Sequence, residues 1–224
     1  MSDTDSFIEE VTDEVRRDRL FLLFKRYGWI AVVLIILIVG GASYNEYRKA
    51  QDRAAAEKLG DDIIAALAQN DAAGRASELS QITSDTAGGT AILQFMVSAA
   101  QANSDQVDSA VAGLDAIARN GDLPAIYRQI ATFKSLTLQA ETLPVADRRL
   151  QFEALAQAGA PLRLLAEEQL ALIDIAEGLT DPAIARLQAI LQDAEAGRDL
   201  QQRAQQLIVA LGGTPQSLPG LSQG

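Results

Sequence analysis

The residue pairs that could perform acid–base or nucleophilic chemistry are immediate neighbours in the sequence. Lys134-Ser135 would be needed for a serine–lysine dyad, and Asp61-Asp62 and Glu167-Glu168 are adjacent carboxylates. All three pairs fall in segments with helical periodicity, where neighbouring side chains point in different directions. None of them is therefore predicted to converge on a substrate, as a general acid and base must.

Other catalytic chemistries are excluded by residue types that the sequence lacks. The chain has no Cys and no His, which removes thiol nucleophiles, imidazole bases and Cys/His zinc sites. It also lacks the nucleophile-elbow, P-loop, dinucleotide-binding and zinc-protease motifs. We therefore predict a protein that is not an enzyme, binds no small-molecule substrate and uses no metal or cofactor.

The composition indicates helices and an acidic surface. The 224 residues are 48% hydrophobic but only 5% aromatic, and Ala and Leu, which favour helices, dominate the apolar fraction. The net charge of −11 argues against nucleic-acid binding, which requires clustered Lys and Arg. Acidic and basic residues are interspersed in short runs, which is typical of a solvated surface.

A charge-free stretch over residues 27–45 predicts a transmembrane helix. It would extend about 28 Å at ~1.5 Å per residue, close to the ~30 Å hydrocarbon core. The segment from Ile30 to Val39 is almost entirely Ile, Leu and Val. Trp29 and Tyr44 lie near its two ends, where aromatic rings favour the water–lipid interfaces.

The sequence around this stretch bears on how it would be used. Gly40 and Gly41 provide small residues for a signal-peptide cleavage site or for close helix approach. The acidic segment 1–26 is unlike a short basic signal-peptide start, which favours an uncleaved anchor over cleavage. Lys25-Arg26 abuts the stretch and favours a cytoplasmic N-terminus, with the C-terminal domain on the other side.

The rest of the chain is divided by its composition. Residues 1–26 are predicted to be a cytoplasmic arm, either an amphipathic helix on the membrane surface or a docking helix for a partner. Residues 46–211 show apolar residues at helical spacing and no strand pattern. The tail 212–224 is rich in Gly and Pro and is predicted to be disordered. The predicted fold class is all-α, with a transmembrane helix followed by helices near 46–69, 71–84, 90–103, 105–119, 124–140, 144–157, 161–177, 181–195 and 198–211.

Some of these helices share a repeated pattern. The pattern is a small residue, a large residue four positions later and then a third contact position. It begins at Ala110, at Ala146 and at Ala183. This spacing resembles the degenerate tetratricopeptide repeat, whose period is ~34 residues. A helical-repeat solenoid is therefore predicted for residues 46–211, and an irregular helical bundle is the alternative.

The order of these parts resembles a bacterial family, the inner-membrane ancillary Sec-translocon subunits. The most telling pieces are Tyr-Asn-Glu-Tyr-Arg at residues 44–48 and the last helix pair at residues 162–191. The resemblance implies a single-pass protein of the bacterial inner membrane, with a periplasmic repeat domain. It also implies association with Sec translocon subunits and with a membrane-anchored periplasmic chaperone. An assembly subunit of another membrane complex, or a purely structural spacer, would have the same organisation.

The repeat alignment also maps the usual groove positions of such a solenoid. The candidate partner-binding residues are Phe95, Arg128, Thr132, Glu168 and Leu172. One Arg among these residues is too little for a carboxylate clamp, which needs several convergent cations. A mixed apolar surface fits a partner helix or a non-native chain better. In the alternative interpretation, Phe95 and Leu172 are simply core residues.

Overall fold

The computed structural model describes the backbone of residues 3–216 and the side chains of residues 26, 29, 30 and 32–216. The chain divides into two compact units, Met1–Gly60 and Asp61–Gly224. The described residues form nine helices and no strand, which confirms the all-α fold class. The helices are α1 (Asp3–Leu67), α2 (Ala72–Gln81), α3 (Ala87–Ala102), α4 (Val107–Arg119), α5 (Ala125–Leu138), α6 (Val145–Leu155), α7 (Arg163–Ala176), α8 (Thr180–Gln192) and α9 (Arg198–Ala210).

Helix α1 corrects the predicted membrane topology. Within the described residues, no helix is both long enough and apolar enough to cross a membrane. The prediction of a transmembrane helix over residues 27–45 is therefore wrong, and so is the single-pass inner-membrane localisation that depended on it.

The side chains assigned to that span are exposed where the structure describes them. Trp29 and Tyr44 are each 65% exposed, and Ile30 and Val39 are 44% and 57% exposed. A Cβ atom added at Gly40 or Gly41 would meet no other atom within 4 Å. The side chains of residues 1–25 lie outside the described residues, and with them the predicted apolar face of the N-terminal arm.

Local sequence signals account for the helix ends of the second unit. Asp71 caps α2 by accepting a hydrogen bond from the Gly74 backbone N–H at 2.7 Å. Thr86, the residue before α3, caps that helix with its side chain in the same way. At the end of α7, Gly178 has a φ of 77°, and its N–H donates to the Ile175 carbonyl at 3.0 Å. This left-handed glycine stops the helix. The observed helices lie within a few residues of the predicted ones because these signals are local.

In the second unit, each helix from α2 to α9 packs against the next one along the chain. The apolar side chains form four buried clusters along this series rather than one common centre. The first involves Ala66, Leu79 and Val97, and the last involves Leu187, Ile190 and Ile208. Packing between sequence neighbours is the arrangement of a helical-repeat fold.

The repeat register is confirmed in two helices and wrong in a third. Ala110 in α4 and Ala183 in α8 are both fully buried, as the pattern requires. The proposed equivalent in α6, Ala146, is exposed, and Leu150 is 67% exposed. The buried α6 residues begin two positions later and keep the same spacing: Arg148, Phe152 and Leu155. An arginine therefore occupies the position that alanine holds in α4 and α8.

Part of the predicted disordered tail is held against the last two helices. The side-chain amide of Gln188 pairs with both backbone groups of Gln216, accepting from its N–H at 3.0 Å and donating to its carbonyl at 2.5 Å. Gly213 lies against Ile184 and Ile208, where an added Cβ would be 3.1 and 3.0 Å from their side chains. Residues 217–224 of the tail lie outside the described residues.

Candidate functional site

A cavity of about 310 Å³ lies between α3, α4 and α5, and we call it the α3–α5 groove. Its large apolar side chains come from all three helices, with smaller and polar residues between them. The lining residues are Phe95, Ser98, Ala99, Ala102, Asn103, Leu114, Phe133, Lys134, Thr137 and Leu138. The volume falls in the range of ligand-binding clefts, roughly 300–1,000 Å³.

The turn between α4 and α5 positions α5 beside α4 and so helps to form this groove. The side chain of Asn120 accepts a hydrogen bond from the Asp122 backbone N–H at 3.0 Å. Leu123 then turns into the cluster that holds Leu114 and Ala131, and it is 4% exposed. Pro124 follows as the N-cap of α5 with a φ of −51°, which suits the entry to a helix. The turn therefore brings α5 back against α4, with its groove residues near those of α3.

The side chain of Ser98 is a buried polar group at the contact between α3 and α4. It is 1% exposed, and its hydroxyl makes no hydrogen bond. Gly113 of α4 lies directly opposite, where an added Cβ would be 2.8 Å from Ser98 Oγ. The two helices approach closely there, so α4 presents no polar side chain to Ser98. An unpaired buried hydroxyl is unfavourable, and such groups are few in native proteins.

Two aromatic residues occupy corresponding places on α3 and α5. Phe95 and Phe133 are half-buried and both line the α3–α5 groove. Phe133 also makes an edge-to-face contact with Phe152, with ring centroids 5.7 Å apart. Phe95 packs partly against the cluster around Leu114 and Leu123. Their remaining surface faces the groove, where a ligand could stack against it.

The structure places Arg128 and Thr132 away from this groove. Thr132 lines a second cavity of about 440 Å³ with Asp115 and Ser135, between α4, α5 and α6. Its hydroxyl donates to the Arg128 carbonyl at 3.0 Å. The predicted set contains Thr132, whereas the residue of α5 that lines the α3–α5 groove with Phe95 is its neighbour Phe133. One residue turns a helical side chain by about 100°, which is enough to point it into another cavity.

The other two predicted groove residues lie on α7 and are separate from Phe95. Glu168 is 6% exposed and forms a two-bonded ion pair with Arg203 of α9, at 2.6 and 2.8 Å. It therefore joins two helices and is not open to a ligand. Leu172 is 39% exposed on the surface of the same helix. The five predicted residues thus do not form one continuous groove.

Helix α7 is the centre of a charged network with its neighbours. Asp174, 2% exposed, accepts from Arg149 of α6 at 2.8 Å and from Arg186 of α8 at 2.9 Å. Arg186 also donates to Glu167 at 2.7 Å. Hydrogen bonds to Glu177 and Asp174 raise the pKa of Arg149. Burial alone would lower the pKa of Arg186, but hydrogen bonds to Glu167 and Asp174 outweigh it and raise that pKa.

Two of the three side-chain pairs considered for catalysis, Glu167-Glu168 and Lys134-Ser135, diverge in the structure. Glu167 bonds to Arg186 while Glu168 bonds to Arg203, so the two carboxylates face different helices. Lys134 is exposed, whereas the buried Ser135 hydroxyl donates to Asp115 at 2.8 Å. Among the described residues, no cluster of three or more acidic side chains could hold a metal ion.

Sequence reasoning identified one groove residue, Phe95, and missed Ser98, Phe133 and Leu138. Phe133 could have been identified from the sequence as an aromatic residue, because aromatic residues are sparse in this chain. No signal in the sequence marks Ser98, since serine occurs widely and its isolation depends on the close approach of Gly113. No protein-family model, curated protein or solved structure matches this chain.

Proposed function

We propose that this chain is a non-enzymatic protein-interaction module and that the α3–α5 groove is its binding surface. The observation that carries the proposal is the cavity of about 310 Å³ between three helices, walled by the half-buried rings of Phe95 and Phe133. A purely structural contact between helices would be expected to cover these aromatic side chains. An apolar groove between helices is the usual seat for the apolar face of a partner helix.

The proposed partners are Sec translocon subunits and a chaperone of exported proteins. Support for this choice comes from the resemblance at residues 44–48 and 162–191. Helices α7 and α8, which contain most of the second segment, pack against each other as a repeat pair would. An assembly role in another complex, or a structural spacer, would use the same helices with different partners or with none.

The test compares groove variants with a surface variant for co-purification with Sec channel subunits and the chaperone. Phe95→Ala removes an aromatic wall, and we expect at least a tenfold loss, because buried aromatic contacts dominate interface energies. Thr137→Glu adds a charge at an exposed groove position and should also abolish binding without disturbing the core. Leu150→Ala removes an equally apolar but distant side chain, 67% exposed on α6, and should bind normally.

These outcomes separate the rival functions. Equal recovery of partner with all three variants would refute the groove as the binding surface. If none of the proteins recovers Sec subunits or the chaperone, the proposed partners are wrong. Circular dichroism of each variant shows whether the helices remain folded, so that a loss with Phe95→Ala can be assigned to the groove when Thr137→Glu agrees.

A further inference from the structure

We infer that the α3–α5 groove receives an acidic amphipathic helix of the partner, with its apolar face against Phe95 and Phe133 and a carboxylate at Lys134. This inference rests on the proposed function and adds the charge and the form of the occupant. It follows from three properties of the groove: apolar walls that are open to a ligand, a length that suits a short helix, and a single cation at its edge.

The open surface of the groove is apolar. Phe95, Phe133 and Leu138 are half-buried, so part of each side chain is accessible to an occupant, and Ala99 is exposed. Helix α3 carries no charged side chain. A charged group entering among these side chains would lose its hydration without gaining a partner. The part of the occupant that enters is therefore apolar.

The lining residues of α3 define the length of the groove. Phe95, Ala99 and Ala102 line it at intervals of four and three residues, which places them on one face of the helix. Phe95 and Asn103 lie about 12 Å apart along α3, at ~1.5 Å per residue. About two turns of a partner helix have nearly this length and present apolar side chains at the same intervals. The groove therefore suits the apolar face of a short helix.

Lys134 sets the charge of the occupant. It follows Phe133 on α5, lines the groove, is exposed and forms no ion pair or hydrogen bond within the described residues. No described carboxylate lines the groove, although the chain has 30 acidic residues against 19 basic ones. An acidic residue beside the apolar face of the partner would pair with Lys134 in a charge-assisted hydrogen bond. A basic residue there would be repelled by the same side chain.

The net charge of −11 opposes an acidic partner but acts over a longer distance than Lys134. Charges more than about 8 Å apart are largely screened at physiological salt, whereas Lys134 would be in contact with the partner carboxylate. The contact therefore decides the preference while Lys134 is present. Replacing Lys134 should remove the preference for an acidic helix, and at low salt it should reverse it.

Three helical peptides separate these features by NMR titration of the full-length chain, with the signals of the groove residues as the readout. Each is about 16 residues long, because shorter isolated helices are marginal in water. The glutamate peptide carries a leucine face with one glutamate at its border. In the glutamine peptide, glutamine replaces that glutamate. In the serine peptide, serine replaces the leucines.

We expect the glutamate peptide to bind about two- to fivefold more tightly than the glutamine peptide, the range for an exposed ion pair. This ratio should fall with added salt, and the serine peptide should not bind. Lys134→Gln should abolish the ratio and leave affinity for the glutamine peptide unchanged. Lys49→Gln makes the same chemical change on α1, outside the groove, and should preserve the ratio.

Each contrary result is specific. Equal or weaker binding of the glutamate peptide by the parent chain would overturn the acidic partner while leaving an apolar binding groove in place. A ratio that survives in Lys134→Gln would also overturn it, because the preference would then come from another cation. If no peptide shifts the groove signals, or if the serine peptide shifts them as much as the leucine peptides do, both the inference and the groove fail.

Discussion

Helices α2–α5 and helices α6–α9 solve the same packing problem in different ways. We call them the N-terminal group and the C-terminal group. In the C-terminal group, arginine–carboxylate pairs join different helices: Arg149 to Asp174, Arg186 to Glu167 and Asp174, and Arg203 to Glu168. In the N-terminal group, no ion pair joins two helices within the described residues, and Arg119–Asp115 lies within α4.

The buried polar atoms follow the same division. Ser98 Oγ and Gln101 Oε1 on α3 and Gln129 Oε1 on α5 have no hydrogen-bond partner, and all lie in the N-terminal group. In the C-terminal group, Arg148 Nε is the one such atom among the described residues, although another nitrogen of its guanidinium donates to the Ala140 carbonyl. The C-terminal group therefore satisfies its buried carboxylates internally. The N-terminal group leaves three buried polar atoms unpaired among the described residues.

Removing the central carboxylate of the C-terminal group should have the largest effect. Asp174→Asn keeps the shape of the side chain but leaves two guanidiniums facing a neutral amide. Breaking a buried ion pair costs about 3–5 kcal/mol, and we expect the low end, about 3 kcal/mol, because each arginine keeps a second carboxylate. Urea unfolding measures this loss. Glu153→Gln, an exposed charge removal on α6, is the control and should cost little; equal losses would show that the network is not a stabilising centre.

The repeat register predicts the next largest effect. Ala183→Leu adds volume at a fully buried helix contact, where overpacking costs about 1–3 kcal/mol. Ala146→Leu makes the same change at the position that the sequence aligned with it, but Ala146 is exposed and should tolerate leucine. Thermal unfolding of both variants compares them directly. If both are equally stable, or if Ala146→Leu is the more damaging, the observed register of α6 is incorrect.

Two buried serines should respond to alanine with opposite signs. Ser135 donates to Asp115 at 2.8 Å and accepts from Gln139 at 2.8 Å, so Ser135→Ala should lower the free energy of unfolding by about 1 kcal/mol. Ser98 has no partner to lose, and alanine is the better helix former. Ser98→Ala should therefore leave stability unchanged or raise it by up to about 1 kcal/mol. A clear loss with Ser98→Ala would mean that its hydroxyl is satisfied in solution.

The smallest expected effect is a pH dependence in the C-terminal group. A hydrogen bond from the Glu195 backbone N–H, together with one from Arg163, lowers the pKa of Asp193 below its usual 3.8. A carboxylate with a lowered pKa in the folded state adds stability above its unfolded pKa and loses it as the pH falls through the folded pKa. Acid titration of stability below about pH 4 should therefore be shallower in Asp193→Asn than in the parent. Identical slopes would show that Asp193 is not held by these contacts.

The positions of the helices could be predicted from the sequence because their signals are local. Apolar periodicity located each helix of the second unit, and capping residues such as Asp71 and Thr86 and left-handed glycines such as Gly178 account for their ends. A cap or a stop depends on hydrogen bonds between residues a few positions apart. Such signals are readable without knowledge of the fold.

The groove was predicted only in part because it depends on register between helices. An alignment by residue type matched Ala146 with Ala110 and Ala183. In the structure the buried residues of α6 are Arg148, Phe152 and Leu155, so the α6 position that corresponds to these alanines is Arg148. On α5 the prediction selected Thr132, whereas the adjacent Phe133 lines the α3–α5 groove. A linear alignment tolerates such slips, whereas a helix converts each one into a different direction for the side chain.

What the sequence by itself determined is the class of the chain: helical, acidic, without Cys or His, and with repeated small residues at some helix contacts. Only the tertiary structure decided which polar groups are satisfied. Glu168 and Asp174 look like ordinary surface acids until α9, α6 and α8 bring arginines to them. Ser98 looks ordinary until Gly113 brings the α4 backbone against it and offers no partner. Whether a buried polar atom finds a partner depends on distances between segments far apart in the chain, and no local pattern encodes those distances.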